Sequence, residues 1–212
     1  MKDIDHFIAG FKRFQQHYFD PQEERFAALQ QGQSPKVLII GCSDSRVDPA
    51  LLTGCAPGEL FVMRNVANLV PPCEHDNHHH GVSAALEYAV CHLEVERIIV
   101  LGHSGCGGIG ALMHGIPNDR PAEFIGPWVK IAERAKEKVL LELPDKDPAK
   151  QSRACEQAAI LVSLENLLSF PWIRERVEAS KLLLHGWYFD ISIGQLYSYS
   201  PEVGSFESIG ER

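Results

Sequence analysis

Two short apolar runs rich in β-branched residues constrain the fold of this chain more than any other feature. They read KVLIIG at residues 36–41 and RIIVLG at residues 97–102, and each ends in glycine followed by polar side chains. Nearly continuous apolar runs of this length are typical of parallel strands buried on both faces. Residues 81–93 lie between them with helical spacing, which predicts a right-handed strand–helix–strand unit. Residues 60–64 are a candidate for a further strand.

The remaining patterns extend this unit to one α/β domain over residues 1–212, with a mainly parallel central sheet flanked by helices. Segments rich in Ala, Leu, Glu and Lys predict helices at 123–143 and 149–168, separated by a Pro-Asp-Lys-Asp-Pro break. Strand-like patterning returns at 181–193, and a thin tail follows Pro201. The predicted organisation is a helical arm at 1–31, a core at 33–114, a helical region at 120–170 and C-terminal strands at 181–200.

Apolar side chains recur with helical spacing near the start of the chain. Ile, Phe or Tyr occupies positions 4, 7, 8, 11, 14 and 18, and the stripe stops near Pro21. This spacing predicts an amphipathic helix. Its apolar face could pack on the chain's own core or on a second subunit, and the pattern alone does not decide between them.

Charge and hydropathy exclude several classes of protein. The formal net charge is −8 and no block of basic residues offsets it, so the long-range attraction to nucleic acid or to an anionic membrane is missing. No apolar run reaches the ~18 residues of a membrane span, and the first residues do not resemble a signal peptide. We therefore expect no nucleic-acid or membrane partner. The six cysteines then indicate a reducing cytoplasm, in which thiols are core residues, metal ligands or reactive groups.

Polar segments follow both buried strands. Cys42-Ser43-Asp44-Ser45-Arg46 comes after the first, and His103-Ser104-Gly105-Cys106 comes after the second. Because ligands of open α/β sheets gather at the carboxyl ends of the strands, we expect both segments at the same edge. Two thiolates and an imidazole suit zinc, and three protein ligands with one open position form the catalytic arrangement. A lone buried cysteine is usually a small hydrophobic residue, and this interpretation is preferred for the other four cysteines: Cys55, Cys73, Cys91 and Cys155.

Three linked motifs carry a resemblance to a known family. The segments 42–46 (CSDSR), 64–68 (RNVAN) and 102–108 (GHSGCGG) resemble the signature segments of β-class carbonic anhydrases. The similarity runs from about residue 33 to 114, and weaker similarity is present at 163–171 and 185–188. It implies reversible hydration of carbon dioxide to bicarbonate, one zinc ion per chain held by Cys42, His103 and Cys106, and obligate dimers that can assemble further. In such dimers we expect the N-terminal helix to pack on a partner subunit.

Asp44 and Arg46 are the expected catalytic residues. Two thiolates cancel the charge of the metal, so a Cys-His-Cys site should acidify its water less than a three-histidine site. Asp44 would accept a hydrogen bond from hydroxide on the zinc and aim it at carbon dioxide, and Arg46 would hold that carboxylate. The alternative is an ordinary surface ion pair. The resemblance also implies a closed state in which Asp44 itself binds zinc.

The substrate is small and apolar, so it needs a pocket that excludes water rather than charged side chains that bind it. By resemblance to the plant-like branch of the family, the pocket residues are Gln33, Phe61, Val66, Tyr88 and Gly107, with the glutamine contributed across the dimer interface. Without the resemblance, Phe61, Val66 and Tyr88 are equally well interpreted as core residues.

A histidine-rich run, His75-Asp76-Asn77-His78-His79-His80, is a candidate second metal site or proton relay. Adjacent histidines in a loop are more often simply solvated, and this is the preferred interpretation here. We assign the run no role on the sequence alone.

One bacterial branch of the family has a separate inhibitory bicarbonate pocket built from Trp, Arg and Tyr. The corresponding positions here are Ile39, Arg64 and Phe189. Two hydrogen-bond donors are thus missing, so we expect no such pocket, and we interpret Arg64 as a structural donor to backbone carbonyls or a partner across the interface.

Two other functions compete with carbon dioxide hydration. The first is hydrolysis of carbon disulfide or carbonyl sulfide at the same site. The second is a non-catalytic zinc or thiol-redox module, against which the presence of Asp44 and Arg46 argues.

Overall fold

The computed structural model describes residues 2–20, 25–76 and 78–210. The chain divides into two compact units, Met1–Ser34 and Pro35–Arg212, and each is described by itself. None of the helices in the described ranges is long and apolar enough to cross a membrane.

The N-terminal unit contains helices α1 (Lys2–Tyr18) and α2 (Arg25–Leu29). The first confirms the helix predicted from the apolar stripe. Its stripe is strongly exposed, with Phe7 69% and Phe11 60% accessible. At its C-terminal end the rings of Phe14 and Tyr18 contact Phe26 of α2 at centroid distances of 5.7 and 5.8 Å. The stripe toward the N-terminus therefore presents exposed apolar side chains.

The second unit is built on a six-stranded sheet with strand order β2-β1-β3-β4-β5-β6. The first four strands in this order are parallel and the last two are antiparallel, which confirms the mainly parallel sheet. The strands are β1 (Val37–Cys42), β2 (Leu60–Asn65), β3 (Arg97–His103), β4 (Leu183–Asp190), β5 (Gln195–Ser200) and β6 (Ser205–Ser208).

Helices cover the sheet, as the α/β pattern predicted. They are α3 (Pro49–Thr53), α4 (Gly81–Glu87), α5 (Gly107–His114), α6 (Ile125–Val129), α7 (Glu133–Glu142), α8 (Pro148–Leu167) and α9 (Pro171–Glu178). A π-helical turn, Tyr88–His92, extends α4 to nearly the full length of the predicted helix. Helix α8 begins where expected because Asp147 accepts hydrogen bonds from two N–H groups of the first turn and Pro148 occupies a position that needs no donor.

Two predictions for this unit are wrong in detail. The helix expected over 123–143 is broken into α6, a 3₁₀ turn at Lys130–Ala132, and α7. The turn at Lys130–Ala132 directly follows α6, in which the Trp128 indole donates a 2.7 Å hydrogen bond to the Val66 carbonyl. The thin tail expected after Pro201 instead turns back at Gly204 (φ 71°) and forms β6.

The strands β1 and β3 are buried on both faces, as their continuous apolar runs predicted. Leu38 and Ile40 point into one cluster with Ile98 and Val100. Ile39 lies in another with Ile99 and Leu101. A further cluster surrounds the carboxyl ends of these strands and includes Cys42, Cys106 and Ile109. Apolar side chains packed on both faces of the sheet therefore fix the position of its carboxyl edge.

Candidate metal centre

The ends of β1 and β3 bring three metal-ligand side chains together. The two strands are parallel neighbours with Gly41 opposite Leu101, so Cys42 and His103 emerge at the same edge. The ligand atoms of Cys42, His103 and Cys106 all lie within 4.8 Å of one another, and all three residues are buried. The structure thus assembles the three predicted ligand residues at the predicted edge.

A tight turn after β3 delivers Cys106 to the group. Gly105 has a φ of 67°, a left-handed conformation that glycine adopts without strain. The Ser104 N–H donates to the Phe189 carbonyl at 3.0 Å, and its hydroxyl accepts from the Ile191 N–H at 2.8 Å. Cys106 then occupies the N-cap position of α5 without a capping hydrogen bond from its side chain. The turn is therefore anchored to the end of β4, and movement away from the sheet would break these two hydrogen bonds.

The chemistry of the donor set fits a zinc ion. His103 Nδ1 lies 3.0 Å from the Ser104 carbonyl, which only accepts, so this nitrogen carries the proton. His103 Nε2 is therefore a lone-pair donor, and it is buried with no hydrogen-bond partner among the described residues. The sulfurs of Cys42 and Cys106 are 4.0 Å apart, close to the ~3.8 Å that two Zn–S bonds at a tetrahedral angle require.

The two thiols also titrate as a pair. The hydrogen bond from Cys106 lowers the pKa of the Cys42 thiol to about 4. The same contact, together with burial, raises the pKa of Cys106. Both directions favour a Cys42 thiolate beside a Cys106 thiol, and binding of a divalent cation would release the remaining proton.

Asp44 and Arg46 form a two-pronged ion pair beside the metal ligands. Arg46 Nε donates to Asp44 Oδ1 at 2.9 Å and Nη2 donates to Oδ2 at 2.7 Å. The Arg46 Nη2 also donates to the Gly105 carbonyl at 3.0 Å, which ties the pair to the ligand turn. Asp44 Oδ2 lies 3.9 Å from His103 Nε2. The Arg46 hydrogen bonds hold the pKa of Asp44 well below its usual range, so the carboxyl is ionised.

Arg64 reinforces the segment that follows β1. Its Nε donates to the Cys42 carbonyl at 2.8 Å, and its Nη2 donates to the Asp44 carbonyl at 2.7 Å. Its Nη1 pairs with Asp48 at 3.0 Å. This confirms the interpretation of Arg64 as a structural donor to backbone carbonyls.

The turn after β2 lies against the ligand helix. Ala67 and Asn68 adopt left-handed conformations with φ of 64° and 49°. The Asn65 side chain closes the turn, because it donates to and accepts from the Leu69 backbone at 2.8 and 2.9 Å. A Cβ on Gly108 would lie only 2.7 Å from Val66 Cγ1, so the close approach requires glycine at this position.

The residues expected to line the substrate pocket lie in separate parts of the structure. Val66 and Gly107 lie next to the metal ligands, since Gly107 follows Cys106 and Val66 touches the start of α5. Phe61 and Tyr88 contact each other at a ring-centroid distance of 5.9 Å. Phe61 is opposite Leu38, four residues before Cys42, which is about 13 Å along the strand. Gln33 belongs to the N-terminal unit.

Glu156 is a site residue that the sequence reasoning missed. It is 5% exposed, and its Oε1 accepts from the Cys106 N–H at 3.0 Å while Oε2 accepts from the Tyr188 hydroxyl at 2.8 Å. Burial raises its pKa. The signal was present, since Glu156 shares the helical spacing of the apolar stripe of α8 with Ala159, Ile160 and Ser163.

Comparisons with known proteins agree with this geometry. The family model described as carbonic anhydrase matches residues 37–196. The chain is 42% identical over 190 residues to "Beta carbonic anhydrase 6, mitochondrial" of Arabidopsis thaliana, a match that covers 89% of this chain and 65% of that protein. The chain thus spans slightly less than two thirds of the length of that curated relative.

Solved structures with the same fold are also carbonic anhydrases. The β-carbonic anhydrase CcaA matches with a TM-score of 0.91 and 33% identity, over 100% of this chain and 94% of that one. One of two tetrameric β-carbonic anhydrases from the filamentous ascomycete Sordaria macrospora matches with a TM-score of 0.75 and 30% identity, over 97% of this chain and 95% of that one.

Proposed function

The chain belongs to the β-carbonic anhydrase family, and from this premise we propose that it catalyses the reversible hydration of carbon dioxide to bicarbonate and a proton. The single observation that carries the proposal is the buried Cys42-His103-Cys106 group with the unpartnered Nε2 of His103 at its centre. An unpaired buried nitrogen costs about 1–3 kcal/mol. A metal ion would remove that cost. Neither competing function, sulfur-analogue hydrolysis nor a non-catalytic module, is favoured by the comparisons.

Zinc, when held by these three residues, supplies the Lewis acid that activates water for attack on carbon dioxide. One zinc ion per chain would use all three donors. The two cysteine sulfurs supply the negative charge that balances it, and the Ser104 carbonyl fixes the His103 ring in the tautomer that presents Nε2. The Glu156 carboxylate accepts a hydrogen bond from the Cys106 N–H and so holds the backbone of this residue in place.

Asp44 is the proposed catalytic acceptor. Its ionised carboxylate would accept the hydrogen bond of the attacking oxygen and direct the remaining lone pair at the carbon of the substrate. Arg46 is the proposed positioning residue, because its two-pronged contact fixes the Asp44 carboxylate, whose Oδ2 lies 3.9 Å from His103 Nε2. A closed state, with Asp44 as a fourth ligand, would require that contact to break.

We propose that the substrate pocket is shared between two copies of the chain. Val66 and Gly107 would line it from the copy that holds the metal. Gln33, Phe61 and Tyr88 would come from the second copy, since Phe61 is too far along its own strand to reach its own site. The 47% exposure of Tyr88 fits a side chain that awaits a partner.

A dimer is the proposed minimal active unit. The exposed apolar face of α1 carries Ile4, Phe7 and Phe11 at 61%, 69% and 60% accessibility, and burial of such a face is the main driving force for association. A second copy of this chain is the proposed occupant. The tetrameric relatives from Sordaria macrospora support assembly beyond a monomer.

We propose the cytoplasm as the location. The six cysteines, all within the described ranges, are free thiols, and free thiols persist in reducing compartments. The Arabidopsis relative is named as mitochondrial, so fractionation of the source cells is the direct measurement. Recovery of the protein in an organelle fraction would contradict this location.

Stopped-flow measurement of carbon dioxide hydration tests the function. The purified, zinc-loaded protein should accelerate hydration, a chelator should abolish the activity, and added zinc should restore it. Carbon disulfide and carbonyl sulfide offered to the same sample provide the comparison. Faster turnover of either sulfur compound, or no turnover of carbon dioxide at full zinc occupancy, would overturn the proposal.

A further inference from the structure

Two pairs of side chains, one on α8 and one on β4, support the ligand turn (residues 104–106). Arg153 and Glu156 lie three residues apart on α8, and therefore on one face of the helix. Tyr188 and Asp190 lie two residues apart on β4, and therefore on one face of the sheet. The two pairs contact each other as well as the ligand turn.

Glu156 connects the first contact between the pairs to a metal ligand. The Tyr188 hydroxyl donates to Glu156 Oε2 at 2.8 Å, and the Cys106 N–H donates to Glu156 Oε1 at 3.0 Å. Tyr188 is completely buried and Glu156 is 5% exposed, so water does not compete for either hydrogen bond. Burial of a carboxyl group costs free energy that an apolar side chain would not cost. A role at the metal centre accounts for a glutamate on the buried face of this helix.

The second contact between the pairs leads to the other ligand of this turn. The Asp190 carboxylate is buried and contacts Nη1 of Arg153. The Ser104 hydroxyl donates to Asp190 Oδ1 at 3.4 Å, and the carbonyl of the same serine accepts from His103 Nδ1 at 3.0 Å. The group formed by α8 and β4 therefore reaches both His103 and Cys106.

Packing of α8 on the sheet sets the position of this group. A Cβ at Gly102 would lie 2.7 Å from Ile160 Cδ1, and a Cβ at Gly186 would lie 2.9 Å from Ile160 Cγ2. Glycine at both positions therefore permits the close approach of the helix to β3 and β4. Ile160 follows Glu156 by four residues and lies on the same face of α8. The packing of Ile160 thus holds Glu156 at a fixed height over the ligand turn.

We propose that Glu156 is a positioning residue of the metal centre and that Tyr188 acts through it. The Tyr188 hydroxyl orients the carboxyl group, the carboxyl group holds the Cys106 backbone, and the Cys106 sulfur is thereby kept in place for zinc. Partners of this kind, one step removed from the metal, orient the ligands and raise metal affinity. The inference rests on the metal centre of the proposed function, but it does not depend on which reaction the zinc catalyses.

Zinc affinity, measured by competition with a chromophoric chelator, tests the proposal without substrate. Glu156→Ala should weaken zinc binding by roughly 10–100-fold. Glu156→Gln keeps an acceptor for the Cys106 N–H and should recover most of that affinity. Tyr188→Phe removes one hydrogen bond and should weaken binding by about two- to tenfold. It should have no further effect in the Glu156→Ala background, because its action requires the carboxyl group.

Two controls separate positioning from a general loss of stability. Glu165→Ala removes an exposed glutamate from the same helix, and Ile173→Val removes one methylene from the core at a distance from the ligand turn. Both should keep the wild-type zinc affinity. With Co²⁺ in place of zinc, the absorption bands that report ligand geometry should change in Glu156→Ala and in neither control.

The outcomes distinguish this inference from the proposed function. A wild type that binds no zinc would refute the metal centre, and the inference would fall with it. A wild type that binds zinc, with Glu156→Ala equally tight or Ile173→Val weakened as much as Tyr188→Phe, would overturn the positioning role alone. Tyr188→Phe keeps its ring in the core, so it decides the question if Glu156→Ala does not fold, and wild-type affinity in that variant would overturn the proposal.

Discussion

The Arg46 guanidinium holds both carboxylate oxygens of Asp44, through Nε at 2.9 Å and Nη2 at 2.7 Å. The same guanidinium donates to the carbonyl of Gly105 in the turn that carries Cys106. One side chain therefore contacts both the proposed catalytic acceptor and the turn that carries a proposed metal ligand.

The first prediction concerns this pair. Asp44→Ala and Arg46→Ala should each retain zinc and lower kcat/KM, by about 10²–10⁴-fold for Asp44→Ala. The double variant should lose little more than Asp44→Ala alone, because the two act as a unit. As a control, Lys36→Ala removes an exposed ion pair with Glu96 and should leave kcat/KM unchanged. Additive losses would show that Asp44 and Arg46 act independently.

The pH dependence of Arg46→Ala sharpens that test. In the wild type, Arg46 holds the pKa of Asp44 well below its usual range. Without Arg46 the pKa of Asp44 should rise toward its ordinary value of about 3.9, still far below neutral pH. The activity loss should therefore persist at high pH. Recovery of activity as the pH rises would mean that protonation, rather than orientation, is what Arg46 prevents.

The second prediction concerns the metal ligands. Cys42→Ser, His103→Ala and Cys106→Ser should each lose zinc and activity together, because the group has only three protein donors. Since protons compete for the same donors, zinc affinity should also fall in acid. Elemental analysis measures the zinc, and Cys55→Ser serves as the control that keeps it. Full zinc in all three ligand variants would refute the assignment.

The third prediction concerns the close approach of α5 to the turn after β2. Gly108→Ala places a Cβ 2.7 Å from Val66 Cγ1 and 2.9 Å from Ala67 Cβ, which should destabilise the protein by about 1–3 kcal/mol. Gly110→Ala is the matched control on the same helix, because no described atom beyond its chain neighbours and the helix's own backbone lies within 4 Å of its added Cβ. It should be neutral or stabilising by up to about 1 kcal/mol. Urea unfolding at one fixed protein concentration measures both, and equal effects would contradict the packing argument.

The fourth prediction concerns regulation by bicarbonate. Ile39 and Phe189 pack in the same apolar cluster, and Arg64 already donates to two carbonyls and to Asp48. No set of free donors remains at these positions to receive an anion. The pH–rate profile should therefore follow a single titration, and added bicarbonate should act only as product. A steep, cooperative loss of activity below about pH 8, deepened by bicarbonate, would show that an inhibitory pocket exists.

The fifth prediction concerns assembly. Deletion of residues 1–20, or the paired change Phe7→Asp and Phe11→Asp, should abolish the dimer and with it the activity, because the exposed face of α1 is the proposed contact. Arg13→Asp alters charge on the same helix without touching the apolar stripe and should preserve assembly. Light scattering at micromolar concentration gives the measurement. An active monomer would contradict both the interface and the shared role of Gln33.

The sequence was sufficient for the elements whose patterns are long and for motifs tied to them. The apolar runs of β1 and β3 predicted both strands, and the polar residues directly after them placed Cys42 and His103 at one edge. Strand β6 could not be seen, because it has four residues and a single apolar side chain, Phe206. The 3₁₀ turn before α7, Lys130–Ala132, carries no Gly or Pro that would have marked it in the sequence.

Parts of the site were hidden for similar reasons. The left-handed conformation of Ala67 carries no sequence signal, and that of Asn68 carries only the weak preference of asparagine for this region. Glu156 was overlooked because a glutamate in a long helix is usually solvated, and only its place in the apolar stripe shows otherwise. The separation of Phe61 from the metal ligands follows from strand register, which spacing along the chain does not reveal.

The facing thiols of Cys42 and Cys106 come from positions 64 residues apart. No short stretch of this chain contains the whole donor set, so the set exists only after β1 and β3 have paired across a crossover, which is a slow, non-local step. We therefore expect metal loading to follow the pairing of these strands. The ion meets a finished sheet, unlike the metal of a zinc finger, which organises an otherwise unfolded loop. On this expectation, the protein prepared without zinc should already contain the paired strands and should bind the ion without refolding.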